Sequence, residues 1–295
     1  MKKEISCLLS FLLLPGLCAF PAGGAYPVFG AETSVHMSYS DFPHIDGSLA
    51  CVPLIENLAK ELTGCTDAQA EEILYDFSNT NPCYINLAEG ERDICLAYEA
   101  SEETKEELLA YPALTMDEIG RDGLVFIVNE DNPVDSLSVS QLYDIFTGKI
   151  TNWKEVGGWD QPIKAFSRPE NSGSQTLIRK FLVHDEDIVG HTEMVASMEG
   201  MIEQLARYDN SANAIGFSVY YYASAMFAQP GLRFLAVNGV LPSQDTIKSG
   251  EYPFVNPFFC VTGPSSAPQA LTIRDWLLSE EGQAFVEENG YVPAG

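Results

Sequence analysis

The chain has 295 residues, 46% of them hydrophobic, with 42 acidic against 16 basic side chains and a formal net charge of −26 at pH 7. That length and apolar fraction suit two folded domains of ordinary size whose core needs no covalent staples. The acidic balance argues against nucleic acid or an anionic membrane surface as partner, because both are held through basic patches that displace counterions.

Met1–Ala25 reads as a secretory signal: Lys2 and Lys3 precede the apolar run Ile5–Leu14, and Pro15 and Gly16 break it before small residues. The run is too short to span a bilayer. The expected product is exported, extracellular or periplasmic, after cleavage near Ala25. Cys18 opens a second course, tethering through a lipid, although Leu17 stands where the bacterial lipoprotein pattern wants a small residue. Tyr26–Pro43 has little periodicity and reads as a connector, with 26–39 as linker.

The stretch His44–Gly64 places Gly47 and Ser48 ahead of Leu54, Ile55, Leu58 and Leu62 on one helical face, with Pro53 in an early turn and Gly64 at the stop. Thr66–Phe77 predicts a second helix, capped by Thr66 with Gln69 three residues on. Ser78–Glu91 reads as turn-rich. Asp93–Ala97 is a short apolar strand led by a carboxylate, which on this pattern alone caps or solvates the strand. A charged helix over Ser101–Tyr111, an apolar strand at Gly123–Val128 and a helix over Ser138–Phe146 follow, then a loop at Lys149–Trp159.

Phe166–Leu182, FSRPENSGSQTLIRKFL, carries the strongest chemical signal. A lone Arg168 precedes a turn of small and polar residues, and Leu177, Ile178, Phe181 and Leu182 then repeat with helical spacing. Free N–H groups at Gly173 and Ser174, the hydroxyls of Ser172 and Ser174, the positive helix end and the guanidinium fork would together form an anion seat. The plainer alternative is a Ser-capped helix beside a surface arginine. Val183–Arg207 is less regular, Asn213–Phe217 turns into a strand, and Tyr220–Tyr222 with the Ala-rich segment after it reads as helix. Phe254–Val261 is another strand, and two helices around Gln269–Leu278 and Glu281–Glu288 close the chain. Near-continuous alternation of strands and helices predicts an α/β fold with largely parallel sheets.

Five cysteines lie beyond the leader: Cys51, Cys65, Cys83, Cys95 and Cys260. They contain no CxxC pair and read as small buried apolar residues, with room for one disulfide. The four histidines lie in no ligand-like spacing, and Asp185–Asp187 reads as a solvated acidic face; no cofactor or metal is expected. HExxH, GxSxG, P-loop and GxGxxG patterns are all missing.

Six ordered stretches carry a family resemblance: IDGS at 45–48, GRDGLVFIVNEDNPVDSLSVSQLYDIFTGKITNWKEVGG at 120–158, RPENSGS at 168–174, NAIGF at 213–217, EYPFVNPFF at 251–259 and SEEGQAFVEENGYVP at 279–293. Over about Ile45 to Pro293 the chain resembles the phosphate-binding proteins that feed bacterial ABC phosphate importers, within the two-lobed solute-binding proteins. The resemblance implies two α/β lobes joined by two crossover strands, 40–122 plus 252–295 and 123–251, closing over a dehydrated oxyanion. It implies a binder rather than an enzyme, monomeric, with phosphate or a similar small anion and an importer's membrane permease as partners.

By the same resemblance Arg168 is the anion-binding arginine, Ser172, Gly173 and Ser174 form the binding turn, and Glu170 orients the arginine. Ser48 and Leu49 supply the first lobe's helix start, Thr80 matches a loop serine, and Asp93 is the carboxylate that accepts the ligand's hydrogen. With Asp93 in the cleft sulfate would be rejected, because a buried carboxylate facing an anion with no proton is repulsive. Two departures bear on the ligand: Leu49 replaces a threonine, and Asn79–Tyr84, NTNPCY, replaces a Gly/Ser-rich loop. They leave open another oxyanion, a sensory binding module or a non-binding homologue; a hydrolase using Ser172 or Ser174 would need a histidine that the sequence does not place nearby.

Overall fold

A computed structural model describes residues 33–170, 172–184, 192–207 and 211–294. The expected leader with Cys18, the linker up to residue 32, His191 and Asp185–Asp187 lie outside the described residues.

Eleven strands are described: β1 Ile45–Gly47, β2 Ile94–Tyr98, β3 Thr115–Asn129, β4 Ser136–Leu137, β5 Lys164–Ser167, β6 Thr192–Met194, β7 Ala214–Val219, β8 Leu232–Phe234, β9 Ala236–Val237, β10 Val255–Thr262 and β11 Val292–Pro293. The helices are α1 Val52–Thr63, α2 Asp67–Ile73, α3 Thr80–Glu89, α4 Glu102–Leu108, α5 Val139–Phe146, α6 Gly173–Ile178, α7 Met198–Arg207, α8 Gln244–Lys248, α9 Pro268–Leu277 and α10 Glu280–Glu288. The main sheet runs β1-β2-β10-β3-β7-β5-β6, with β8 and β11 also on β3.

Two α/β lobes share this sheet, and β3 is the strand that belongs to both. Its first half pairs antiparallel with β10 as far as Val255 opposite Gly123; from Leu124 opposite Val219 it pairs with β7. Parallel pairs, β1 with β2 and β5 with β6 and β7, flank it on the two sides. The all-apolar Leu124–Val128 is buried throughout, as a strand covered on both faces must be, and Phe126 packs against Phe146 and Phe254.

Local chemistry accounts for most element ends. Thr66 with Gln69 and Ser138 with Gln141 form reciprocal caps that satisfy otherwise free N–H groups. Gly64 ends α1 in the left-handed conformation, its N–H donating to the Lys60 carbonyl. Gly47 is required by close approach: a Cβ there would lie 2.0 Å from the Leu96 carbonyl oxygen of the paired strand.

Two segments and the sheet differ from the sequence reading; the sheet is mixed, with β3 antiparallel to β10, β11, β7 and β8, where largely parallel pairing is expected. The turn-rich Ser78–Glu91 contains α3, because Pro82 falls in the first turn, where a missing N–H costs no intrahelical bond. Part of the irregular 183–207 stretch is α7. The five cysteines are free, with Cys51, Cys83, Cys95 and Cys260 buried and Cys65 half-buried.

Candidate functional site

In parallel α/β sheets ligands sit beyond the carboxyl ends of the strands, where the following helices begin. Here Ser48 follows β1, Tyr98 ends β2, Arg168 follows β5 and Val219 ends β7, and all four line one cavity between the lobes. Its volume of about 30 Å³ suits one compact ion. Leu49, Thr80, Ser172, Gly173 and Ser174 complete the polar and backbone lining that the sequence singled out.

The first-lobe wall is a hydrogen-bonded hydroxyl pair. Ser48 Oγ lies 2.8 Å from Thr80 Oγ1 and accepts from the Tyr98 N–H at 3.0 Å. With Thr80 donating to Ser48, the Ser48 hydrogen is left for the cavity; with Thr80 donating instead to Asn79 Oδ1 at 3.4 Å, Ser48 donates to Thr80 and neither hydrogen is free. Asn79 caps α3, its side-chain oxygen accepting from the Thr80 N–H at 2.8 Å. Its φ of 105° lies in a region that side chains rarely occupy, and strain of this kind persists only where surrounding structure imposes it. Asp46 does the imposing: its buried carboxylate accepts from the Gly47 N–H, the Ser78 N–H and hydroxyl, and Asn86 Nδ2, tying the end of β1 to the start of α3.

The second-lobe wall is the start of α6, which continues as a wider helical turn through Arg179–Val183. Ser172 is the cap, its Oγ accepting from the Gln175 N–H at 3.3 Å, which leaves the hydroxyl hydrogen free to donate inward. Ser174 is 3% exposed and its Oγ has no partner; Arg168 is 5% exposed and its Nε has none. One Arg168 guanidinium nitrogen donates to the Val195 carbonyl at 3.1 Å, and the Arg168 N–H donates to Gln175 Oε1 at 3.0 Å.

Arg168 has no carboxylate partner among the described residues. Burial pushes its pKa down to about 10, with Tyr222 opposing slightly, so it remains a cation at neutral pH. A buried, unpaired cation beside an unpartnered donor costs several kcal/mol unless an anion completes it. Tyr222 also lines the cavity; burial, aided by Glu199, pushes its phenol up to about 12, which keeps it a hydrogen-bond donor.

Two predicted site residues are elsewhere. Asp93 precedes the amino end of β2, about 16 Å of strand away from Tyr98. Its carboxylate accepts from the His44 N–H at 2.9 Å and the Ala267 N–H at 3.2 Å, joining two loops at the sheet's far edge. Glu170 orients Arg179 rather than Arg168, through bonds of 2.7 and 3.0 Å, and faces a separate polar cleft of about 480 Å³ together with Glu99, Thr176 and Lys180. The residues that sequence reasoning missed, Tyr98, Asn79 and Tyr222, sit at strand carboxyl ends or helix starts. Strand direction, the one signal that could have found Tyr98, favours the last residue of β2 over the first.

A profile of the PBP superfamily domain matches residues 61–281. The chain is 28% identical over 203 residues to the phosphate-binding protein PstS of Borreliella burgdorferi, spanning 67% of this chain and 71% of that one. It is 32% identical over 183 residues to the phosphate-binding protein PstS of Bacillus subtilis, 61% of this chain and 58% of that one. A crystal structure from Clostridium perfringens, named as a phosphate ABC transporter substrate-binding protein with bound phosphate, aligns with a TM-score of 0.67 at 26% identity over 85% of this chain and 98% of that one. An ABC-type phosphate transport receptor from Vibrio cholerae shares the fold, with a TM-score of 0.63 at 24% identity, 84% of this chain and 98% of that one being covered.

Proposed function

The chain belongs to the PBP superfamily, and on that premise we propose that it is an exported solute-binding protein that captures inorganic phosphate between its lobes and hands it to the permease of an ABC importer. One observation carries the reading: the buried Arg168 cation and the Ser174 hydroxyl, both with unpartnered donor atoms, line a small cavity that is partly open to solvent.

The ligand would be held from both lobes. Ser48 or Thr80 and the N–H groups of Leu49 and Ala50 donate from one side, and Arg168, Ser172, Gly173 and Ser174 from the other. The first N–H groups of a helix have no partner within it, and the helix dipoles add favourable potential. Short-range donors in a desolvated site then outweigh the repulsion of a net charge of −26, which lies mostly at a distance and is screened by salt. With 40–122 and 252–295 as one lobe and 123–251 as the other, closure buries the anion and aligns both surfaces for docking. In this reading Ser172 and Ser174 act as hydrogen-bond donors to the anion rather than as nucleophiles.

Among the described residues no helix is long and apolar enough to cross a membrane. The Met1–Ala25 leader therefore carries the export reading, with Cys18 as the alternative tether. The test is calorimetric titration of the purified, anion-free chain with sodium phosphate. Saturable one-to-one binding is expected, with a loss of at least a hundredfold in Arg168→Ala; unchanged affinity in that variant would end the reading.

A further inference from the structure

The polar side chains that line the cavity are hydroxyls, one amide and one guanidinium, with no carboxylate among the described residues. We infer that the site does not discriminate by the ligand's proton: it takes tetrahedral oxyanions as a class, sulfate as well as phosphate. The inference rests on the anion reading above and specifies its ligand.

Each nearby acid is engaged elsewhere. Asp93 is at the opposite end of β2, bonded to the backbone of His44 and Ala267. Asp46 is saturated by Gly47, Ser78 and Asn86. Asp122 lies behind Tyr98 and accepts from its hydroxyl and from the Gly123 and Tyr221 N–H groups. Glu99 is held by Lys105 and Lys180, and Glu170 by Arg179 and Gln175. Glu199 is exposed and does not line the cavity. At the end of β2, the strand position where an acid could face a ligand, stands Tyr98, whose hydroxyl points away into its bond with Asp122.

The physical consequence concerns protons. At pH 8 phosphate is mostly a dianion carrying one hydrogen, and sulfate is a dianion carrying none. A buried acceptor that cannot donate separates the two, because sulfate leaves it unmet and adds like-charge repulsion. Hydroxyls do not separate them, since each can donate to an oxyanion oxygen or accept from a protonated one. Arg168 and the helix N–H groups act on charge and shape, which the two dianions share. Asn79, at the cavity wall with its oxygen already occupied by the Thr80 N–H, is the position at which a carboxylate would restore the distinction.

The experiment is calorimetric titration of the purified chain, freed of anion and held at pH 8 in a buffer without oxyanions, with sodium phosphate and sodium sulfate separately. Dissociation constants within about tenfold of each other, both lost in Arg168→Ala, are the expected result. Phosphate bound more than about a hundredfold tighter than sulfate overturns the inference and leaves the anion reading intact. Heat from neither anion overturns that reading and the inference with it. Asn79→Asp gives a second check: sulfate should weaken at least tenfold more than phosphate, and equal weakening of both counts against the proton argument.

Discussion

Tyr98 and Asp122 meet at 2.7 Å behind the cavity, the phenol donating to a carboxylate that is 2% exposed. Tyr98 ends β2 in the first lobe, Asp122 sits on β3 where that strand changes partners, and the Tyr221 N–H from beyond β7 donates to the same carboxylate at 3.1 Å. One acid therefore joins the first-lobe cavity wall, the crossover strand and the second lobe.

Burial pushes the Asp122 carboxyl up to about 6, although the Tyr98 hydroxyl and the surrounding N–H groups pull the other way. A folded-state pKa above the unfolded 3.8 means that the fold binds this proton more tightly. The stabilisation is fully present below 3.8 and is lost as pH rises through about 6. That rise corresponds to about 3 kcal/mol, so wild type should lose about that much relative to Asp122→Asn between pH 3.5 and 7.5. Urea melts of both proteins at the two pH values measure it; parallel pH dependence would show that the acid is not perturbed.

Arg168→Met should separate stability from binding. Removing an unpaired buried cation relieves its desolvation, and the ligand-free protein should gain about 1–3 kcal/mol. The same variant should show no rise in melting temperature with phosphate, whereas wild type should rise in proportion to ligand concentration. Thermal melts with and without phosphate read both effects.

Gly173 opens α6 and faces α3 across the cleft, where an added Cβ would lie 2.5 Å from Thr80 Oγ1. Helix geometry tolerates alanine there, so Gly173→Ala should fold normally while wedging the lobes apart. Phosphate affinity should fall at least tenfold with the melting temperature of the ligand-free protein nearly unchanged. A drop in melting temperature without a loss of affinity would contradict the close approach of the two helices.

Lys180, in the turn that extends α6, bridges to Glu99 of the first lobe, and Lys105 holds the same carboxylate at 2.6 Å. The side chains are 25% exposed for Glu99 and 37% for Lys180, so the bridge contributes less than about 1 kcal/mol to closure and is screened by salt. Lys180→Ala should weaken phosphate about two- to fivefold at low ionic strength, and the difference should vanish near 1 M salt. Affinity measured across a salt series decides it.

What the sequence determined by itself was whatever depends on neighbours a few residues apart. The caps at Thr66, Ser138 and Ser172, the stop at Gly64 and the apolar face of α1 were legible because a cap and its partner N–H lie within one helical turn. So was the alternation of strands and helices that implies an α/β fold. Within the site, Arg168 and the Ser172–Ser174 turn lie on one continuous stretch, and their juxtaposition needed no tertiary knowledge.

Tertiary structure alone decided which acids face the ligand. Asp93, just before β2, and Tyr98, at its end, are five residues apart, and residue type favours the aspartate; only the direction of β2 in the sheet sends the tyrosine to the cleft and leaves the aspartate at the opposite end. Glu170 lies two residues from Arg168, yet its carboxylate meets Arg179 instead, because a residue's direction on leaving β5 is set by how α6 packs. The meetings of Thr80 with Ser48 and of Tyr98 with Asp122 likewise span 32 and 24 residues. Contacts at such separations are fixed by sheet order and lobe packing, which no local pattern encodes.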